Sequence, residues 1–332
     1  MMKKNILVMV LCFVMSLGMM GNIKVYAYQF DSSKEQTWDS YDYEAYCEKY
    51  GIEWERDSVS GKYSYPIDKQ SEIWSELNHV DRIAVCNIPE RVLEDINKEE
   101  LKELVLNYPL LGDVYAYDTL EQGIKIVSSY FPPLEEVVED LLTESNNALS
   151  EQSIETEVSY NEFAEMFVRH VKQYIVKKAE RDTYAARAVS RYVYTPNGTA
   201  VTCLSYGETL TAADKTRIKN ENLSECPGAI VLADPTTNYN CHSYAWYLQS
   251  TSNIVWMPSP TEYMTDGSYR YVGTYPTAAG QKVFYPATNH SAVVVNTSGT
   301  LRSKWGRGCL MQHSWENSPY YGTPGGVKVY TR

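Results

Sequence analysis

The stretch Thr236-Thr237-Asn238-Tyr239-Asn240-Cys241-His242-Ser243-Tyr244-Ala245-Trp246 decides the fold of the second half of the chain. Its first residues are loop formers, and the apolar side chains that follow predict a short, buried helix over residues 241–249. Cys241 then lies at or near the first helical turn, where backbone N–H groups without helical partners favour an anion. We therefore expect the pKa of this thiol to be lowered, as in nucleophilic cysteines.

Downstream of this helix, short runs of β-branched and aromatic residues alternate with turn residues, which predicts strands. His290 directly precedes the apolar run at 291–295, so we expect it at the start of a buried strand. A histidine placed there and aimed at the thiol of Cys241 could act as its base. Strands are predicted at 191–195, 229–232, 269–275, 281–285, 291–295, 301–305 and 327–331, with a possible further strand around residue 313.

A third polar residue is needed to orient the imidazole and to hold its reactive tautomer. Two positions compete for this role, His313 and Ser303, and His313 is slightly favoured. Tyr239 and Asn240 are candidate oxyanion donors, although both also fit as loop and cap residues. His242 is interpreted as a first-turn helix residue and not as a second base.

Two sequence blocks resemble those of a known enzyme superfamily. Asn240-Cys241-His242-Ser243-Tyr244-Ala245-Trp246 resembles the Cys-x-x-Tyr-Ala/Val helix start of CHAP amidases. Residues 276–285 followed by Asn289-His290-Ser291-Ala292-Val293-Val294 are similar to the second block of that family. The order Cys, then His, then a third polar residue also resembles NlpC-type cell-wall peptidases. The likeness covers about residues 236–315, with Gln281 in place of the usual Asp and Asn289 in place of the usual Gly.

This resemblance implies an α+β fold of the papain-like kind, with a Cys-bearing helix packed on an antiparallel sheet. It implies amide hydrolysis through an acyl-enzyme, without a cofactor or a metal. The usual substrate is the peptide part of peptidoglycan, and another extracellular peptide is possible. Trp246, Lys304 and Trp305 are candidates for substrate contact. Two alternative hypotheses to a hydrolase remain. The first is a zinc site built from Cys241, His290 and His313, and the second is a catalytically silent module that binds the wall or a protein.

The start of the chain has the layout of a secretory signal peptide. Met1-Met2-Lys3-Lys4 is followed by an apolar run from Ile6 to about Met20 and by Val25-Tyr26-Ala27. A short basic start, an apolar centre and a small-x-small ending predict cleavage after residue 27. We therefore expect a secreted or wall-associated protein whose mature chain has no membrane span.

Charge divides the rest of the chain into two parts. Residues 28–182 carry 15 Lys and Arg against 34 Asp and Glu, whereas residues 183–332 carry 12 against 8. Such asymmetry is typical of separate modules, and the acidic part argues against nucleic-acid binding.

Residues 28–68 are expected to be irregular in parts. Helical spacing then predicts an all-α domain, with a capping box at Asn97, a helix after Pro132-Pro133 and another over 160–180. The segment from Ile88 to Pro109 also resembles a helical stretch of secreted proteins from Gram-positive bacteria.

The predicted boundaries are therefore a signal peptide at 1–27, an acidic helical domain at 28–182 and a papain-like domain at 183–332. Six cysteines remain beyond the signal peptide. Spacing alone does not fix their pairing, and Cys203–Cys226 and Cys47–Cys86 are the disulfides to test first. The oligomeric state is not predicted.

Overall fold

A computed structural model describes residues 37–148, 161–179 and 189–332. Over these ranges the protein is α+β, as predicted, with helices first along the chain and antiparallel strands after them. The expected signal peptide lies outside the described residues. The helices of the first part are α1 (Tyr43–Tyr50), α2 (His79–Val85), α3 (Glu90–Asp95), α4 (Lys98–Leu106), α5 (Leu120–Tyr130), α6 (Pro133–Ala148) and α7 (Glu162–Ala179), with 3-10 turns at Glu72–Glu76 and Leu111–Tyr115.

Local signals account for several helix starts. Asn97 forms the predicted capping box: its side chain accepts the backbone N–H of Glu100 at 3.0 Å, and the Glu100 carboxylate accepts the backbone N–H of Asn97 at 3.2 Å. The helices predicted after Pro132-Pro133 and over 160–180 are α6 and α7. The stretch expected to be irregular in parts contains α1, and the nearby Trp38 and Trp54 are buried.

The strands form a hairpin and a larger sheet. β1 (Val189–Tyr194) and β2 (Ala200–Ser205) pair as an antiparallel hairpin. The larger sheet has the strand order β3-β8-β7-β6-β5-β9-β4, and all neighbouring pairs are antiparallel. Its strands are β3 (Ile230–Ala233), β4 (Arg270–Gly273), β5 (Lys282–Tyr285), β6 (His290–Val294), β7 (Thr300–Lys304), β8 (Leu310–Ser314) and β9 (Lys328–Thr331).

All the predicted strands are confirmed within one to two residues at each end. The sequence did not predict β2 or the helix α8 (Ala212–Glu225). The helix is largely polar, with a narrow buried stripe that includes Asp214, Asn222 and Glu225 beside Ile218. Polar residues in the buried stripe hide the apolar periodicity by which a helix is recognised.

The two faces of the large sheet pack against different partners. Because side chains alternate along a strand, Ala292, Leu301 and Met311 share one face and join the hydrophobic cluster that contains the helices of the first part. Val293 and Leu310 point the other way. They pack with the hairpin and with a π-helix, Ser243–Tyr247, that continues the helical turn begun at Cys241.

The main hydrophobic cluster extends from Trp38 to Val329 and takes in residues from both sides of the expected 182/183 boundary. The six cysteines beyond the signal peptide are all described, and each is a free thiol. Neither proposed disulfide is formed; Cys203 and Cys226 belong to different hydrophobic clusters. No helix in the described ranges is long and apolar enough to span a membrane.

Candidate catalytic site

Asn240 fixes the start of the helix that carries Cys241. Its side-chain oxygen accepts the backbone N–H groups of Ser243 and Met257, each at 3.1 Å. The backbone N–H of Asn240 in turn meets the Ser243 hydroxyl at 3.3 Å. This is the reciprocal pattern of a capped helix start. Cys241 is therefore the first helical residue, as predicted, and it is 2% exposed.

The Cys241 thiol is protonated in this conformation. Burial raises its pKa well above the usual range, and the nearby Asp118 carboxylate raises it further. Backbone N–H groups of Ser291 and His242 and the charge of Lys304 act in the opposite direction. The prediction that this pKa is lowered is wrong, because desolvation of the thiolate raises the pKa by more than these groups lower it.

His290 opens β6 at the predicted position, and it is 2% exposed. Its ring stacks on the ring of Tyr320, with centroids 3.3 Å apart and an interplanar angle of 8°. Its Nε2 is buried and has no hydrogen-bond partner among the described residues. Burial lowers the pKa of His290 well below its usual value, and the neighbouring His242 and His313 lower it further. The imidazole is therefore neutral and retains an unused nitrogen.

The two competing orienting residues bind each other. Ser303 Oγ and His313 Nε2 lie 3.0 Å apart, and His313 Nδ1 is 2.8 Å from the carbonyl oxygen of Ser314. Both ring nitrogens of His313 are thus occupied, and neither residue hydrogen-bonds His290. The stacked ring contact of His290 is with Tyr320, which the sequence did not single out, and Tyr285 makes a second, tilted contact with centroids 5.6 Å apart.

The candidate oxyanion donors are already engaged or enclosed. The side-chain N–H groups of Asn240 donate to Asp118 Oδ2 at 3.0 Å and to the carbonyl oxygen of Met257 at 2.8 Å. Tyr239 is buried, its hydroxyl has no partner among the described residues, and burial raises its pKa to about 12. Asn240 acts here as a cap, which is the second of the two roles considered for it.

The candidate substrate contacts are buried and have intramolecular partners. The indole N–H of Trp246 donates to Ser291 Oγ at 2.9 Å, and that of Trp305 donates to Ser303 Oγ at 3.1 Å. Lys304 is fully buried, and its Nζ donates to three backbone carbonyls. All three side chains belong to the interior of this conformation. The acceptors of Lys304 are the carbonyl oxygens of Thr236 at 3.0 Å, Gly306 at 2.6 Å and Gly308 at 2.8 Å.

His242 is a first-turn helix residue, as interpreted from the sequence. It is buried, and its Nδ1 lies 2.8 Å from Ser291 Oγ. Since Trp246 donates to the same hydroxyl, Ser291 joins the helix to the strand that begins with His290. This contact positions the thiol beside β6.

A segment from the first part of the chain closes the site, and we call residues 115–122 the cover segment. Five of its hydrogen bonds reach four loops of the sheet half, by which we mean residues 189–332; these loops lie around Cys241 and His290. These hydrogen bonds join Arg307 N–H to Tyr115 O at 3.1 Å, Tyr320 Oη to Ala116 O, Tyr117 Oη to Pro319 O at 3.3 Å, Asn240 Nδ2 to Asp118 at 3.0 Å and Gln122 Nε2 to Thr288 O at 3.2 Å.

Asp118 is the member of this segment that sequence reasoning missed. Burial raises the pKa of its carboxyl to about 7, against the hydrogen bond from Asn240, the nearby side chain of Trp256 and the charges of Lys304 and Arg307. A perturbed carboxyl beside a candidate nucleophile is a typical feature of functional sites. Its contact with Asn240 spans 122 positions of sequence, so no local pattern could have indicated it.

The residues described do not include a group of three or more His, Cys, Asp or Glu placed to hold a metal ion. Cys241, His290 and His313 thus do not converge as a zinc site would require. Comparisons with protein-family models, with curated proteins and with solved structures gave no significant match to this chain.

Proposed function

We propose that the protein is a secreted cysteine hydrolase that cleaves amide bonds of an extracellular peptide, with Cys241 as nucleophile and His290 as base. One observation carries this proposal: the Ser291 hydroxyl lies 2.8 Å from His242 Nδ1 and accepts the indole N–H of Trp246 at 2.9 Å. The helix that starts at Cys241 is therefore fixed against the strand that starts at His290. The helix start that carries the thiol and the strand start that carries the imidazole lie side by side.

The papain-like form of the α+β fold is part of the proposal. In its support, the helix that begins at Cys241 packs on an antiparallel sheet, and the nucleophile precedes the base along the chain. The two departures from the CHAP-like pattern are also compatible with it. Asn289 adopts φ 48°, a backbone region that glycine favours and asparagine tolerates. Gln281 Oε1 accepts the backbone N–H groups of Thr277 at 2.7 Å and Ala278 at 3.0 Å, which a carboxylate would also do.

In the proposed reaction, His290 takes the thiol proton and the sulfur of Cys241 attacks the amide carbon. The carbon–nitrogen bond then breaks, and the imidazolium returns its proton to the leaving amine. Water, activated by the neutral imidazole, hydrolyses the thioester and releases the acid. Peptidoglycan stem peptides are the substrate class that the CHAP-like resemblance favours.

A binding module without catalysis is the second candidate function. The observation that favours it is the burial of both Cys241 and His290 to 2% exposure. A protein of this kind would bind sacculi or a peptide normally, and Cys241 would not react with thiol reagents.

The test uses a chloroacetamide probe on the full chain, with labelled residues mapped by mass spectrometry. We expect label at Cys241, and we expect Cys241→Ala to lose both that label and peptide hydrolysis while it keeps its circular dichroism spectrum. Cys47 is the partly exposed cysteine, so Cys47→Ser is the matched control and should stay active.

Labelling confined to Cys203 or Cys309 would overturn the assignment of Cys241. Measurement of the zinc content of the same sample tests the hypothesis that Cys241, His290 and His313 form a zinc site. Stoichiometric zinc that is lost in Cys241→Ala would replace the hydrolase proposal by a metal site.

A further inference from the structure

The carboxyl group of Asp118 is held by a donor from a distant loop of the chain. Asn240 Nδ2 donates to Asp118 Oδ2 at 3.0 Å, and the side chain of Trp256 lies close enough to the same carboxyl to lower its pKa. Asn240 is fully buried, and Trp256 is 6% exposed. An enclosed N–H donor and a neighbouring indole thus face one carboxylate that comes from the first part of the chain.

Two cationic side chains face the same point. The charges of Lys304 and Arg307 both lower the pKa of Asp118. Among the described ion pairs, neither cation has a carboxylate within 4.0 Å. Burial lowers the pKa of Lys304 to about 7, and carbonyl oxygens hold its Nζ, so Arg307 is the lasting positive charge near this carboxyl. In a chain with a formal net charge of −12, a cation at this point favours an anion beside it.

This environment lies next to the proposed nucleophile. Asn240 directly precedes Cys241, and the Asp118 charge raises the pKa of the Cys241 thiol. A carboxylate held at this point therefore lies close to the sulfur. A substrate amide could place its carbonyl carbon at the sulfur while a neighbouring carboxylate of the same molecule occupied the Asp118 position.

The cover segment separates a state in which Asp118 occupies this position from one in which a substrate carboxylate could. Its hydrogen bonds join the loops around Cys241 and His290, which are both 2% exposed, so we expect a substrate to reach the thiol after the segment has moved. That movement would take the Asp118 carboxylate from Asn240. Asn240 Nδ2 would keep the carbonyl oxygen of Met257 and lose its charged acceptor, and another carboxylate could restore that charge-assisted hydrogen bond.

We propose that Asn240, Trp256 and Arg307 form a carboxylate-binding subsite beside Cys241, which Asp118 fills in the closed molecule and which a free carboxylate of the peptide substrate fills in the open one. The substrate part of this inference rests on the proposed hydrolase function. The subsite itself does not, since small carboxylates can test it without turnover.

The test uses the full chain with Asp118→Ala, because this change removes from the side chain a group with the shape and charge of formate. We expect Cys241 to be alkylated faster in Asp118→Ala than in the wild type. Formate should then raise the thermal midpoint of the variant and slow its alkylation, because a ligand that binds only the folded chain stabilises it. Chloride at equal ionic strength is the reference for salt effects.

Asn240→Asp is the matched control, because it keeps the oxygen that caps the helix but lacks the side-chain N–H donors. Formate should have no effect beyond that of chloride on the double variant Asp118→Ala/Asn240→Asp. A second measurement covers the case in which Asp118→Ala does not fold: formate should speed Cys241 alkylation in the wild type by competing with Asp118. If formate acts no differently from chloride in both the wild type and a folded Asp118→Ala, the subsite is overturned.

The substrate part of the inference is tested by comparing the cleavage of two peptides by the wild type. A cleaved peptide with a free carboxylate should lose at least tenfold in kcat/KM when that carboxylate is converted to a carboxamide, a difference equivalent to about 1.4 kcal/mol. Equal cleavage of both peptides would overturn the substrate assignment and leave the hydrolase intact. Cleavage of neither would overturn the proposed function, while the formate result would still decide the subsite.

Discussion

At the residue scale, ionisation of the Asp118 carboxyl destabilises the closed conformation, in which this carboxyl is buried. Burial raises the pKa of this carboxyl to about 7, whereas the pKa of an unfolded aspartate is about 4. Below the pKa of the unfolded chain, the carboxyl is protonated in both the folded and the unfolded protein. As the pH rises, the unfolded chain releases this proton first. The contribution of the protonated carboxyl to the free energy of unfolding therefore declines, and it is lost above the pKa of the folded protein. The charged and titratable groups that face this carboxyl are Cys241, Lys304, Arg307, Tyr206 and Tyr320.

We therefore expect Asp118→Asn to remove a pH dependence. Between about pH 4 and pH 7 the wild type should lose free energy of unfolding relative to this variant, because only the wild type must bury an ionised carboxylate. Urea titrations of both proteins across this range measure the difference. A constant difference between the two proteins over the whole range would contradict the raised pKa of Asp118.

The sequence correctly predicted a helix start at Cys241 and a strand start at His290, because the immediate neighbours of each residue define that element. It gave the wrong direction for the pKa of Cys241, since the dielectric around a thiol depends on what the rest of the chain packs over it. Asp118 and Tyr320 were not predicted for the same reason. Their contacts with the site cross large sequence distances, and neither residue stands in a recognisable motif.

At the scale of elements, the turn before β6 depends on the conformation of Asn289. Its φ is 48°, and its side-chain N–H donates to the carbonyl oxygen of Pro258 at 3.1 Å. Asn289→Ala and Asn289→Gly both lose this hydrogen bond, but only alanine places a Cβ in the left-handed region. We expect the alanine variant to be less stable than the glycine variant by about 1 kcal/mol, measured by chemical denaturation. An alanine variant as stable as the glycine variant would mean that this turn is not strained.

A substitution at Gly306 tests whether the cover segment depends on its close contact with the loop after β7. The φ of Gly306 is 42°, and a Cβ at this position would collide with the backbone carbonyl of Tyr117. Gly306→Ala should therefore push the cover segment outwards, destabilise the protein by about 2 kcal/mol more than a control glycine, and speed Cys241 alkylation. Gly61→Ala is the control, because Gly61 has φ 68° and no atom within 4 Å of its added Cβ. Equal effects of the two substitutions would show that the cover segment does not depend on this contact.

The sheet strands were predictable because apolar and β-branched runs between turn residues are a local signal. Their order in the sheet was not, since strand order follows from contacts among residues far apart in sequence. The helix α8 shows a second limit. Its buried Glu225 accepts the backbone N–H of Gly112 at 2.7 Å, so a carboxylate occupies a position where an apolar residue would have signalled a helix.

At the scale of the whole molecule, the helical part and the large sheet share one hydrophobic cluster. One face of the sheet, with Ala292, Leu301 and Met311, packs on the first part of the chain. We expect the full chain to unfold in a single transition, with coincident curves from tryptophan fluorescence and far-ultraviolet circular dichroism. The fragment 183–332 should lack a cooperative transition and bind a hydrophobic dye. Two separate transitions, or a cooperatively folded fragment, would contradict a shared core.

The free thiols of Cys47, Cys86, Cys203, Cys226, Cys241 and Cys309 have a consequence for recovery after heating. Five of the six are buried, so the native state shields them from oxidants, whereas the unfolded chain exposes them all. Three bonds among six thiols can form in roughly 15 ways, and none of these pairings belongs to the native chain. Refolding yield should therefore be high with a reductant present and should fall under air oxidation. In an oxidising medium, unfolding becomes a one-way step, and the lifetime of the protein is then set by its rate of unfolding.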